Sequence, residues 1–112
     1  MAARFAVVDK SRRTMDNIVF DSAKEMRRYA ELKMMQRARA IRDLEHHPKF
    51  SVSINGRHYC NFTPDFRYHD LDSGLTIIEE VKSTGTVKDP AYNLRRKAAE
   101  LFHGITVMEI IL

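Results

Sequence analysis

Cysteine is nearly absent from this chain. Cys60 stands alone, which excludes an intramolecular disulfide and a cysteine-rich zinc cage and fits a reducing compartment. No apolar run approaches the ~20 residues of a membrane span, and the N-terminus has neither the apolar length nor the cleavage pattern of a secretory signal. A cytoplasmic protein is therefore expected. Repeats, low-complexity tracts and linkers are missing as well, and 112 residues suffice for one core but not for two. The reading is one domain over 1–112, with 1–19 as an arm or short strand and the core over 20–112. The net charge of +4 and pI near 9.4 tilt towards a polyanionic partner, although a soluble basic protein can carry the same excess.

No glycine or proline interrupts the stretch from Asp21 to Leu44. Asp21 and Ser22 are good N-cap residues and Glu25 falls in the first turn, so a helix is expected over 22–40, with an extension to 44 left open. At 100° per residue Glu25 shares an arc with Tyr29, Leu32 and Gln36, which puts an acid on the packing face. Lys24, Arg27, Arg28, Arg37, Arg39 and Arg42 read for the most part as solvated charges. His46-His47-Pro48 ends the helical region, because proline disfavours helix in the residue before it. The two histidines should diverge and lack a Cys or Asp at ligand spacing, so no zinc site is expected there, nor a zinc hydrolase built on the five histidines.

A strand over 49–54, the Asn55-Gly56 hairpin signal and a second strand from Arg57 towards Asp65 come next. Pro64 implies an edge, a bulge or a break in pairing, any of which could aim Asp65. Phe62–Tyr68 and Leu75–Lys82 read as strands joined by a polar turn over Asp70–Gly74. Alternation places Glu80 and Lys82 on one face and Val81 on the other, with Asp65 on the partner strand. Two carboxylates and a lysine converging form the hard-oxygen setting that suits Mg²⁺ or Mn²⁺. Glu79 competes with Glu80 for that role, but alternation turns it away from Lys82. A second helix starts at Asp89-Pro90 and stops at Gly104, and an apolar strand over 105–112 should be buried within the sheet. Arg95, Arg96, Lys97 and Lys88, with Arg12 and Arg13, are the candidate phosphate contacts; a solvated helix face explains Arg95, Arg96 and Lys97 equally well, and a frayed, solvated terminus explains Arg12 and Arg13 better.

Pro64-Asp65 followed by Glu80-Val81-Lys82 resembles the signature of the PD-(D/E)xK nuclease superfamily. Its core order, αβββαβ, matches the succession of elements in this chain, helix, three strands, helix, strand, so the fold class expected is α/β (α+β mixed sheet). A closer resemblance runs through Ile18-Val-Phe-Asp-Ser-x-x-Glu25-x-x-x-Tyr29-x-x-Leu32, Thr63-Pro-Asp-Phe-x-Tyr68, Glu79-Glu-Val-Lys82, Tyr92-x-Leu-x-Arg96-Lys97 and Gly104-Ile. These segments look like a small phage-encoded endonuclease family long known only as a domain of unknown function. Ser83 departs from that pattern, which has glycine there, and Leu94 or Arg95 stands where a lysine is expected.

The resemblance implies a metal-dependent endonuclease hydrolysing DNA phosphodiesters, structure-directed or weakly sequence-specific, in phage or prophage DNA processing. Asp65 and Glu80 would bind Mg²⁺ (or Mn²⁺), Glu25 would add a third carboxylate, the Val81 carbonyl a further ligand, and Lys82 would orient water or stabilise charge. One active site per chain favours a homodimer. The competing reading is a non-catalytic nucleic-acid-binding or phage assembly protein that keeps the fold, for which Phe62, Phe66 and Tyr68 would serve.

Overall fold

The computed structural model describes residues 8–83 and 89–112. A 3-10 turn over Lys10–Arg13 leads into β1 (Thr14–Met15) and β2 (Ile18–Val19), a minimal hairpin in the segment read as an arm. Asp16 and Asn17 take φ of 52° and 63°, the left-handed pair that a two-residue hairpin turn needs and that short polar side chains tolerate. Arg13 closes the unit, donating from Nε to the Val8 carbonyl at 3.0 Å and from Nη1 to the Phe20 carbonyl at 2.7 Å.

Helix α1 spans Ala23–Arg37. Ser22 Oγ accepts from the Glu25 amide at 3.1 Å while Glu25 Oε1 accepts from the Asp21 amide at 3.3 Å, so the side chains at the helix start satisfy amides that lack a partner within the helix. The helix does not reach 40 or 44. Arg39 turns left-handed at φ 63°, which lets the Arg39 amide bond Gln36 O at 3.0 Å and the Ala40 amide bond Met35 O at 2.9 Å. Glycine ordinarily marks such a stop, and arginine gives no warning of it.

Ile41–His46 is therefore strand β3. It pairs antiparallel with β6 (Phe66–Asp70), and the register shifts between Arg42 and Glu45 where Asp43 adopts φ 57°. That bulge breaks the alternation by which a strand is recognised. β4 (Phe50–Ile54) and β5 (Arg57–Phe62) form the expected hairpin, with Asn55 and Gly56 at φ 52° and 78°. The pair makes a separate two-stranded sheet, so the strand at 49–54 lies outside the main sheet, and β5 ends at Phe62 without continuing to Asp65. Buried Pro64 sits in the break between β5 and β6.

β7 (Thr76–Lys82) returns from β6 by the polar turn, α2 (Pro90–His103) crosses over, and β8 (Val107–Ile111) lies parallel to β7. Asp89 caps α2, Pro90 opens it and Gly104 closes it in the left-handed region at φ 66°. The four-stranded order is β3-β6-β7-β8. With the β4–β5 hairpin set aside as an insertion, the elements read αβββαβ, a mixed α+β domain. β8 is an edge strand and not an interior one: Val107 is buried but Met108 and Ile111 are exposed, because β7 is its only partner among the described residues. No described helix is long and apolar enough to cross a membrane.

Two apolar clusters flank the sheet. Phe20, Tyr29, Leu32, Ile41, Phe66 and Tyr68 form one beneath α1, and Phe50, Val52, Phe62, Ile78, Ala99 and Val107 form the other between the sheet, the hairpin and α2. β7 serves both by alternation: Ile77 and Val81 pack on the first, Ile78 in the second. Glu79, on the α1 side, has no exposed surface. Arg28 grips it with both arms, Nε to Oε1 at 2.8 Å and Nη2 to Oε2 at 2.7 Å, and the Tyr68 hydroxyl donates to Oε2. Arg28 is thus no solvated charge, and its guanidinium pKa is raised mainly by this hydrogen bond.

Removing one member of a buried ion pair leaves the other unpaired. Arg28→Leu should cost about 3–5 kcal/mol in urea unfolding. Adding Glu79→Gln to that variant should recover part of the loss, because the orphaned charge is gone.

Candidate active site

The interruption between β5 and β6 at Pro64 sets Asp65 directly across from β7. The Asp65 amide bonds Glu79 O at 3.1 Å, its Oδ2 accepts from the Val81 amide at 2.7 Å, and its carbonyl accepts from the His47 amide at 2.9 Å. Val81 thus meets Asp65 through its amide, while its side chain packs in the α1 core. Burial above all pushes Asp65 up to about 6; the Val81 hydrogen bond opposes the shift and the nearby Glu25 charge adds to it.

Glu80 and Lys82 project from the opposite face of β7 to Glu79, as alternation requires. Lys82 Nζ lies 3.8 Å from Glu80 Oε2 and 3.7 Å from the centre of the Tyr92 ring on α2. Glu80 Oε1 is buried with no hydrogen-bond partner among the described residues. Burial, then repulsion from Asp65, pushes Glu80 up to about 7 against the pull of Lys82. The Tyr92 hydroxyl is also buried without a partner, and its pKa is raised by burial and then by Glu80. Glu79, the competitor, is fully engaged by Arg28 and Tyr68 on the other side of the sheet.

Glu25 is buried at the start of α1, where burial raises its pKa against the attraction of His47. His46 and His47 do not diverge. Both Nε2 atoms lie 2.9 Å from Glu25 Oε2, with the rings stacked at 3.7 Å between centroids. The cause is φ of 54° at His47, which breaks strand alternation and turns consecutive side chains the same way. His47 Nε2 also stands 3.8 Å from Asp65 Oδ1 and 4.0 Å from Asp21 Oδ2, linking Glu25 to Asp65. Glu25, His46 and His47 are the group among the described residues whose possible ligand atoms lie within 4.8 Å of one another. The local sequence carries no sign of this, because positive φ at a histidine before proline is not written in the residue types.

The candidate phosphate contacts divide. Arg95 and Lys97 on α2 and Arg12 in the 3-10 turn are exposed. Arg13 instead binds backbone carbonyls, and Arg96 turns to Glu100 at 3.0 Å with its Nε buried, so neither is a free surface cation. Lys88 lies outside the described residues.

The Glu80 carboxyl has a sign-definite consequence. Its folded-state pKa of about 7 lies above the ordinary 4.5, so the cost of burying its charge is absent below about 4.5, builds as pH rises from there and is fully present above about 7. In chelator, Glu80→Gln should raise unfolding stability by ~1–3 kcal/mol near pH 8 and leave it unchanged near pH 4, measured by denaturant titration.

A family model described as "Protein of unknown function (DUF1064)" matches residues 9–107, a span that includes Glu25, His46, His47, Asp65, Glu80 and Lys82. No curated protein and no solved structure matches the chain. With nearly its whole length covered by that match, the chain belongs to the DUF1064 family.

Proposed function

We propose that the protein is a metal-dependent DNA endonuclease of PD-(D/E)xK type, acting on DNA in phage or prophage processing in the host cytoplasm. The observation that carries the reading is the buried Glu80 Oε1, without a partner among the described residues and within the electrostatic reach of Asp65. Two acids with pKa values raised by burial, Glu80 further by Asp65 and Asp65 further by Glu25, form an oxygen donor set short of positive charge. Mg²⁺ or Mn²⁺ fits such a set, with Asp65 and Glu80 as the residues that would hold it and the Val81 carbonyl as a further donor. When bound, the cation supplies Lewis acidity towards the phosphoryl group and favours hydroxide over water as nucleophile.

The chain's own groups do the positioning. Lys82, fixed between the Glu80 carboxylate and the Tyr92 ring, brings a positive charge to the site and stabilises the extra negative charge of the pentavalent phosphorus. Asp65 is held in orientation by the Val81 amide, and Glu25 supports it through His47. Arg95, Lys97 and Arg12 remain as surface cations for the DNA backbone. In the reaction a water oxygen bonds to phosphorus, one P–O ester bond breaks and the departing alkoxide gains a proton. One such site cuts one strand, which favours a homodimer on duplex or junction substrates.

Incubation with supercoiled plasmid and a synthetic four-way junction tests this. Cleavage should require Mg²⁺ or Mn²⁺, vanish in EDTA and in Asp65→Ala, and fall on the order of 10²–10³-fold in Lys82→Ala. DNA binding without cleavage under either metal would transfer the protein to the non-catalytic binding class.

A further inference from the structure

We infer that Glu25, His46 and His47 form a second cation site, selective for a borderline divalent transition metal of the Zn²⁺ class and distinct in chemistry from the oxygen-only pair Asp65 and Glu80. Two imidazole nitrogens and one carboxylate oxygen converge, with each histidine presenting Nε2 at 2.9 Å from Glu25 Oε2. All three ligand atoms lie within 4.8 Å of one another, and the donors sit at the closed end of the site: Glu25 is buried and His46 is largely so.

The backbone is shaped for this convergence. A histidine at φ 54° is an uncommon conformation, and it is held here by the His47 amide bonding Asp65 O and by buried Pro48 following it. Backbone outliers of this kind persist where the surrounding structure fixes them, and they gather at ligand sites. Phe20 and Phe66 pack on the His46 ring at 4.7 and 5.7 Å between centroids, fixing its orientation from the apolar side. A hydrogen-bonded carboxylate needs donors of some kind, but it does not need two stacked imidazoles aimed at the same oxygen.

Donor chemistry decides which ion is taken. Imidazole favours Zn²⁺, Co²⁺ and Ni²⁺ over Mg²⁺, which prefers an all-oxygen octahedron, and two histidines with one glutamate is a donor set found around zinc with a position left open. Asp65 Oδ1 and Asp21 Oδ2, 3.8 and 4.0 Å from His47 Nε2, are the nearest further acids. The inference stands apart from the nuclease reading, because it concerns binding of an ion and not cleavage.

Co²⁺ titration of the chelator-stripped chain, followed by visible absorption, tests it. The expected result is a saturable d–d band of a four- or five-coordinate, nitrogen-ligated ion, displaced by stoichiometric Zn²⁺ and unmoved by a large excess of Mg²⁺. His47→Gln, with folding checked by far-UV circular dichroism, should weaken Zn²⁺ binding by at least ~10-fold. Glu80→Gln should leave the band in place. Absence of the band from the wild-type chain overturns the inference, as does its displacement by Mg²⁺ or its persistence at full strength in folded His47→Gln. The wild-type spectrum decides the matter alone if His47→Gln does not fold. Absence of DNA cleavage by a wild-type chain that shows the band would count against the nuclease reading and not against this one.

Discussion

A buried carboxylate that no water reaches must be matched by protein donors, and at Glu79 that requirement organises the domain. Arg28 offers a two-pronged match and Tyr68 a third donor, so one side chain of β7 ties α1 to the sheet and to β6. The geometry of a strand then leaves no freedom at the next residue. With Glu79 held on the α1 side, Glu80 must face α2, and Lys82 follows it to the same face. The clamp also fixes the axial position of α1, and Glu25, one turn ahead of Arg28 in the helix, is thereby held at the end of the sheet where β5 breaks into β6.

The two faces of β7 therefore treat acid residues oppositely. Glu79 is satisfied and structural. Glu80 is left with a buried oxygen that no group among the described residues satisfies, and Asp65 stands near enough to raise its pKa. A structural acid is expected to look like the first; an acid that awaits a cation looks like the second. Burial without a partner costs stability in the metal-free chain, and a bound cation would convert that cost into affinity.

Elements bounded by residues with a strong local preference were legible in the sequence. Asp89-Pro90 and Gly104 delimit α2, Asn55-Gly56 makes the hairpin, and Ser22 caps α1. Strand β3 was not legible, because its helix-like, charged composition carries a bulge at Asp43, and the helix before it stops at an arginine in the left-handed region. The apolar content of β8 points to an interior strand, yet only Val107 is buried and only one of its edges is paired among the described residues. At the site, alternation alone separated Glu80 from Glu79, and the packing arc of α1 marked Glu25 as a buried acid. The convergence of His46 and His47 was not legible, because it depends on the positive φ at His47, which the residue types do not announce. Arg13 and Arg96 show the converse limit: charge says a side chain can bind phosphate, but only the fold says whether its donors are already spent.

The central claim is that Asp65 and Glu80 are a cation site. Anomalous diffraction from crystals grown with Mn²⁺ tests it most directly. The account predicts a Mn²⁺ peak ligated by carboxylate oxygens of both Asp65 and Glu80, with Lys82 still beside Glu80. Crystals saturated with Mn²⁺ that show no peak between those two acids, and Glu80 Oε1 still without a partner, would contradict it.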